Sequence, residues 1–310
     1  MSQTNLREAL SFQLVPLLPF RLDLTAWALR REPTNKLDSW DGAAYRRAIA
    51  FEGAIFGVSV RQNSNLDSPS LEVELTAADR LPGIKRTAVK ALSRLLGLEV
   101  DLTDFYRFAA AHNELASLVQ RFRGVKPPRF LDLFETLANG IIFQKISLTA
   151  GTSILNRLVE TFGPATSGAQ SRAFPLPETI ADLNPEDLRS LGLSRQKGKA
   201  LVEIARGITS GLDLEQAEIM NDDEAIVFLQ QLRGIGRWTS QYALLRGLGR
   251  LHIFPGDDVG ARNKVKNWLG LEQVPDYEKM QDLNARWYPY GGMVYFHLLL
   301  NHIAEKGYLM

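Results

Sequence analysis

Two stretches of the chain carry residues whose types and spacing could do chemistry: Leu232-Arg-Gly-Ile-Gly-Arg-Trp-Thr239 and the acidic pair Asp257-Asp258. Two glycines bracketing one aliphatic residue let a chain turn sharply between helices, because glycine tolerates positive φ and close backbone approach. The unpaired N–H groups in the first turn of the next helix then form an anion site, and phosphate is the obvious anion. Asp258 follows Phe254-Pro-Gly256 and precedes Val259-Gly-Ala-Arg-Asn-Lys, a context in which it is a good helix N-cap. Asp257 could be the cap instead, or a turn residue. A carboxylate held there could also stand beside a sugar undergoing C–N cleavage. Such a reaction builds positive charge on the ribose, which a fixed negative charge stabilises while it orients a water. The two roles are compatible, since an anchored carboxylate is pre-positioned.

Just after the glycine turn, Trp238, Tyr242 and Leu245 fall at i, i+4 and i+7 on one helix face, a stripe that serves either as core or as pocket wall. Between Arg233 and Lys266 the bases are Arg233, Arg237, Arg246, Arg250, Arg262, Lys264 and Lys266, against the acids Asp257 and Asp258. Net charge over all 310 residues is only +1, so nucleic-acid binding must come from such a local patch.

The elements that position these residues follow from periodicity. Residues 1 to about 105 read mainly as strands and turns. Ser11–Leu18 is apolar-rich, Ala44–Ala50 and Ala54–Gln62 flank a hairpin turn at Glu52-Gly53, Asn63–Pro69 is a loop, and Ser70–Leu75 alternates. Lys85–Leu96 has helical spacing. From Leu102 the pattern is helical: Asp104–Val119 as one helix, then Leu131–Phe162 as a long one with a break expected near Thr149–Gly151. After the loop Gly163–Pro177, helix starts are expected at Asn184 and Ser194, with further helices over Asp222–Leu232, Arg237–Gly247, Asp258–Leu269 and Gly292–Ala304. The expected fold class is α+β, a small antiparallel sheet domain followed by two helical subdomains. The expected divisions are 1–103, 104–125 with 246–310, and 126–245.

Leu232-x-Gly-Ile-Gly-x-Trp-Thr239, followed about twenty residues later by Pro-Gly-Asp-Asp258, resembles the helix–hairpin–helix DNA glycosylase superfamily. Within it, the likeness is greatest to the bacterial 3-methyladenine DNA glycosylase II (AlkA-type) enzymes. Phe143-Gln-Lys-Ile-Ser147, Leu191-Gly-Leu-Ser-Arg-Gln-Lys-Gly-Lys199 and Trp287-Tyr-Pro-Tyr290 resemble three further segments of the family. The resemblance implies that Asp258 is the catalytic aspartate. It implies that backbone amides of Gly234, Gly236 and Thr239 hold a DNA phosphate, and that carbonyls of Gln230, Leu232 and Ile235 hold Na+ or K+. It further implies that Trp238 and Tyr242 wall the base pocket, and that Gln144 and Lys145 enter the minor groove and fill the gap left by the extruded base. Members that also cut the strand carry a lysine where this chain has Trp238, so water is the expected nucleophile and no lyase activity is expected. Two departures stand out. Lys145 occupies the place of an apolar wedge, and Leu299 the place of a pocket tryptophan. Phe20 is a further candidate for the pocket.

Absences narrow the field. No cysteine occurs among the 310 residues, which excludes disulfides, thiolate chemistry and a Cys-ligated iron–sulfur cluster. His112, His252, His297 and His302 lack metal-ligand spacing and are expected to be packing or surface residues. Ser147 has no His–Asp context, and Gly247-Leu-Gly249 lacks the strand and third glycine of a dinucleotide fingerprint. With neither a signal-peptide pattern nor an apolar run of spanning length, a cytoplasmic, nucleoid-associated monomer acting on damaged double-stranded DNA is expected. The expected activity is hydrolysis of the N-glycosidic bond of alkylated purines such as 3-methyladenine. The competing readings are a non-catalytic helix–hairpin–helix DNA-binding protein, or excision of oxidised or deaminated bases.

Overall fold

The computed structural model describes residues 10–63, 68–77, 82–166 and 171–309. Parts of the expected loops at Asn63–Pro69 and Gly163–Pro177 therefore lie outside the described residues.

The N-terminal part contains β1 (Leu10–Leu14), α1 (Leu22–Arg30), β2 (Ser39–Trp40), β3 (Ala44–Phe51), β4 (Ala54–Gln62), β5 (Leu71–Ala77) and α2 (Ile84–Leu96). The strands form one antiparallel sheet in the order β1-β5-β4-β3-β2. Glu52 and Gly53 take positive φ, the two-residue turn that right-twisted strands prefer, and set the register Phe51↔Ala54. Leu71, Val73 and Leu75 point inward from β5 while Glu72 and Glu74 face solvent. Against that inner face packs α2, through Ala88, Ala91, Leu92, Leu95 and Leu96.

Helix α1 lies in a stretch where no helix was expected. Eight of its nine residues are buried, so it has no polar face to betray a helical period. Leu22, Ala26 and Leu29 join the core under the sheet, whereas Leu24, Trp27 and Ala28 join a core of C-terminal helices.

The remainder is helical: α3 (Thr103–Ala110), α4 (Asn113–Arg121), α5 (Leu133–Phe143), α6 (Leu148–Phe162), α7 (Pro177–Ala181), α8 (Arg195–Thr209), α9 (Asp222–Gln230), α10 (Arg237–Arg246), α11 (Val259–Leu269), α12 (Tyr277–Trp287) and α13 (Gly291–Glu305). The stretch Asp104–Val119 is two helices, not one. His112 is extended and its ring Nδ1 bonds back to the Phe108 carbonyl at 2.7 Å, closing α3 before α4 begins. Asn184 starts only a turn that leads into the 3-10 segment Asp187–Arg189. No helix was expected over the residues of α12.

The long helix expected over Leu131–Phe162 breaks at Gln144–Ser147, earlier than expected. There Lys145 adopts φ 53° and Ser147 caps α6 by accepting from the Ala150 N–H. Gly151 continues within α6, and the Phe143 ring lies where its Cβ would be, so the position takes glycine for packing and not to end a helix.

Three apolar cores meet on α10. Ala243 and Leu244 belong to the core of α5, α6, α8 and α9, Leu245 to that of α3, α4 and α11–α13, and Tyr242 to the core under the sheet. The helix is thus buried on every side from Thr239 to Arg246. Its N-terminus is consequently held rigidly from all three directions.

Candidate active site

The glycine turn joins α9 to α10. A reciprocal capping box between Asn221 and Glu224 opens α9. At the turn, the Leu232 carbonyl accepts from the Ile235 N–H at 3.1 Å, and buried Ile235 anchors the loop in the core. Gly234 has φ 79°, and a Cβ there would lie 2.8 Å from the Ala200 methyl, so both backbone and packing demand glycine. Gly236 is extended and provides no side-chain cap; the Ser240 N–H closes the first turn on the Gly236 carbonyl at 3.0 Å. By helix geometry the N–H groups before Ser240 point out of the helix end, where an anion would complete them.

Two side chains brace this turn from below. The Gln144 amide donates to the Gly234 carbonyl and to Thr239 Oγ1, both at 2.9 Å. Lys197, the lysine of the Gly-Leu-Ser-x-x-Lys segment, donates its ammonium to the carbonyls of Ile142 at 2.9 Å and Gln144 at 2.8 Å. Its pKa is lowered by burial. The interrupted end of α5 and the hairpin therefore form one hydrogen-bonded assembly, in which Gln144 has a bracing task besides the one the resemblance implies.

Asp258 is the N-cap of α11. Its Oδ1 accepts from the Ala261 N–H at 2.8 Å, while Oδ2 accepts from the Tyr295 hydroxyl at 2.9 Å and from Trp238 Nε1 at 3.3 Å. The positive end of the α11 dipole favours the carboxylate there. Burial and the neighbouring carboxylate hold the Tyr295 phenol well above its ordinary pKa, so it stays protonated and remains a donor. Asp257 has a separate job. It binds Arg237 through two hydrogen bonds, 2.5 Å and 3.1 Å, and that guanidinium also stacks on Tyr277 at 3.7 Å.

Asp258 stands where two spaces join. Outside is a cleft of about 890 Å³ bordered by Gln144, Lys145, Gly234, Gly236, Thr239 and Asp257. Inside is a chamber of about 170 Å³ walled by Phe143, Trp238, Tyr242, Tyr295 and Leu299, with Arg31, Arg246 and Lys264 also reaching it. This is well under the size of a drug-sized ligand site and suits a single planar base. Trp238 and Tyr242 stack at 5.4 Å and 27° and continue one another as a wall. Gly260 opens the space beside the carboxylate, since a Cβ there would lie 3.1 Å from Asp258 Oδ1 and 3.5 Å from Lys264 Nζ.

The structure brings together Asp258, Trp238, Tyr242, Leu299, Gly234, Gly236, Thr239, Gln144 and Lys145 around these two spaces. It does not bring Phe20 there. That ring is 1% exposed and packs in the core under the sheet. Leu245 leaves the stripe as well, since one helical turn beyond Trp238 and Tyr242 its side chain enters the C-terminal core. Nor is the basic stretch one exposed patch. Arg246 is 1% exposed, Arg250 is spent on Asp222 and two carbonyls, and Arg237 on Asp257.

Several site residues were missed. Tyr295 lies four residues before Leu299, Arg246 four after Tyr242, and Phe143 next to Gln144, so extending the helical spacing would have found them. Arg31 had no signal, because it reaches the chamber from the C-cap of a helix in the N-terminal part. His297 is fully buried and His302 half-exposed, in line with packing and surface roles.

Residues 138–290 match the model of the HhH-GPD superfamily of base excision DNA repair proteins. The chain is 33% identical over 213 residues to a DNA-3-methyladenine glycosylase of Bacillus subtilis, covering 68% of this chain and 70% of that protein. Among solved structures, a 3-methyladenine DNA-glycosylase from Archaeoglobus fulgidus superposes with a TM-score of 0.81 at 27% identity, over 96% of this chain and all of that one. A 3-methyladenine DNA glycosylase of Schizosaccharomyces pombe in complex with abasic DNA superposes with a TM-score of 0.56 at 27% identity, over 64% of this chain and 95% of that one. On this likeness in sequence and fold, the chain belongs to the helix–hairpin–helix DNA glycosylases, in the 3-methyladenine DNA glycosylase family.

Proposed function

We propose that this protein is a DNA glycosylase of base excision repair that hydrolyses the N-glycosidic bond of alkylated purines in duplex DNA. The observation that carries the reading is the position of Asp258, a carboxylate held by three hydrogen bonds between an open helix N-terminus and a base-sized chamber. A plain DNA-binding hairpin needs neither the carboxylate nor the chamber.

The hairpin amides and the start of α10 grip a backbone phosphate, and the damaged nucleotide rotates out of the stack into the chamber. Alkylation makes the purine a good leaving group, so little acid catalysis is required. As the C–N bond stretches, positive charge develops on the sugar. Asp258, oriented by Ala261, Trp238 and Tyr295, stabilises that charge and guides a water to the anomeric carbon. Trp238 occupies the position of the Schiff-base lysine of strand-cutting members, which supports a water nucleophile and release of an intact abasic strand. Lys145 is exposed at the rim of the cleft in a left-handed conformation, which supports a role for it in the gap left by the extruded base.

The hairpin carbonyls of Gln230, Leu232 and Ile235 are hard oxygen donors that suit Na+ or K+, and such an ion would supply positive charge beside the phosphate. The Leu232 carbonyl bonds the Ile235 N–H and has a second lone pair for such an ion. Among the described residues no helix is long and apolar enough to cross a membrane. The reading goes with a monomer that acts on cytoplasmic, nucleoid DNA.

The test is to incubate the protein with a panel of damaged duplexes and identify released bases by mass spectrometry. Release of alkylated purines with the strand left uncut is expected. Binding of every duplex without release of any base would leave only the DNA-binding module.

A further inference from the structure

Between α1 and β2 the chain runs as a strap, residues 31–37, from the N-terminal part across the helices that carry the site. Leu37 is 2% exposed and seats in the core of α5, α6, α8 and α9. The Lys36 N–H donates to Asn156 Oδ1 at 2.9 Å, and Asn156 Nδ2 donates in return to the Thr34 carbonyl at 2.7 Å. About two turns nearer the start of α6, Thr149 Oγ1 donates to Glu32 Oε1 at 3.2 Å. The strap is thus fastened along α6 at two levels, and its first residue, Arg31, is delivered to the base chamber.

Arg31 takes φ 63° and closes α1, its N–H donating to the Trp27 carbonyl at 2.9 Å. A left-handed residue at that point of a helix is usually glycine, and a larger residue is held there only where its surroundings over-determine it. Here the side chain does so. Nη1 donates to the Tyr242 hydroxyl at 3.1 Å and Nη2 to Asn139 Oδ1 at 3.0 Å, while the guanidinium lies over the Phe143 ring at 4.2 Å. Tyr242 and Phe143 are chamber walls supplied by different helices, α10 and the end of α5, and Asn139 stands one turn before Phe143. One planar group with donors in a fixed fork therefore ties the two walls together. Among the described residues that line the chamber, Arg31 alone comes from the N-terminal part.

We propose that Arg31 is a positioning residue for base excision: it fixes the gap between Tyr242 and Phe143 in which the extruded base is held. The strap that carries it gives the sheet-bearing part of the chain a task in the reaction, although that part makes no hydrogen bond to Asp258 among the described residues. This inference rests on the base-excision reading above and adds the N-terminal part to its machinery.

Arg31→Met keeps an unbranched side chain along Phe143 and loses both donors. Single-turnover release of 3-methyladenine from methylated duplex DNA, at saturating protein, should fall roughly tenfold, since a misplacement of about 1 Å can remove up to about a hundredfold. Affinity for a duplex with an abasic-site analogue, which leaves the chamber empty, should be unchanged. Tyr242→Phe removes the hydroxyl and keeps the ring; it should lower release severalfold. Adding Arg31→Met to Tyr242→Phe should then lower release by a smaller factor than Arg31→Met does alone, because the two changes break one contact. Arg31→Lys keeps the charge but cannot bridge both acceptors, and should release base more slowly than wild type. Circular dichroism and thermal melting would establish that each variant is folded.

A wild-type release rate in folded Arg31→Met overturns the inference. So do losses that simply multiply in the double variant, and so does a fall in abasic-duplex affinity as large as the fall in release, which would make Arg31 a general support of the fold. If Arg31→Met does not fold, Arg31→Lys takes its place in the same cycle, and the same outcomes decide. Each of these leaves the glycosylase reading standing. Release of no base by the wild-type protein would remove that reading and this inference together.

Discussion

The hydroxyl of Tyr295 donates to Oδ2 of Asp258 across 2.9 Å, joining the last helix of the chain to the first turn of α11. Trp238 reaches the same oxygen from α10. Three helices thus converge on one carboxylate, which orients it without neutralising it. Removing the phenol hydroxyl in Tyr295→Phe should lower kcat about tenfold, the size of one hydrogen bond to a charged group, with KM nearly unchanged. Single-turnover base release at saturating DNA checks this; a KM effect alone would assign Tyr295 to binding.

Asp258→Asn keeps an N-cap, so the variant should fold with α11 intact. Base release from N-methylated duplex DNA should fall by at least about a hundredfold, as for loss of a main electrostatic contact at a charge-developing centre. Binding to a duplex containing an abasic-site analogue should persist. Unchanged release would remove Asp258 from the mechanism.

Gly260→Ala separates stability from catalysis. Alanine is the better helix former by up to about 1 kcal/mol, so the melting temperature should not fall. Its methyl would press on Asp258 Oδ1 at 3.1 Å and narrow the space toward Lys264. A severalfold loss of base release in a protein at least as stable as wild type is expected, measured by thermal melting and single-turnover kinetics side by side.

Gln144→Ala removes both hydrogen bonds that tie the end of α5 to the hairpin. Its effect should be on DNA grip. Affinity for an abasic duplex should weaken about tenfold, roughly 1.4 kcal/mol, with release at saturating DNA far less affected. Fluorescence anisotropy titrations at fixed salt test this.

His297 makes acid stability a measurable quantity. Burial lowers its pKa to about 4 from 6.5, with Nδ1 hydrogen-bonded to the Met293 carbonyl, so the folded protein holds it neutral. An unfolded chain would protonate it below 6.5. Its contribution is therefore complete above that pH and is lost as pH falls toward 4. Between pH 7 and 4.5, wild type should lose roughly 2–3 kcal/mol more stability than His297→Leu, at about 1.4 kcal/mol per pKa unit. Equal losses in urea melts of the two proteins would show that His297 is not the group concerned.

Local chemistry was legible wherever a residue's own neighbours in the chain dictate its conformation. The Gly-x-Gly turn, the Asp258 cap, the Ser194 cap, the hairpin at Glu52-Gly53 and the alternation of β5 all depend on short-range backbone and hydrogen-bonding preferences. The aspartate's place after the hairpin was readable for the same reason. Elements buried on all sides were not. Helix α1 has no polar face, and α10 contributes successive residues to different cores, so Leu245 and Tyr242 share a helical stripe yet part company in space.

Only the tertiary structure decided what surrounds Asp258. Tyr295, Arg246 and Arg31 come from the last helix, the C-terminal end of α10 and the C-cap of α1, and packing of three separate cores brings them together. The sequence by itself determined that a Gly-x-Gly turn opening a helix and a capped carboxylate exist about twenty residues apart. Packing around α10 decided that the carboxylate faces a donor-rich chamber, because the reach of each side chain depends on contacts made by residues far away in the chain.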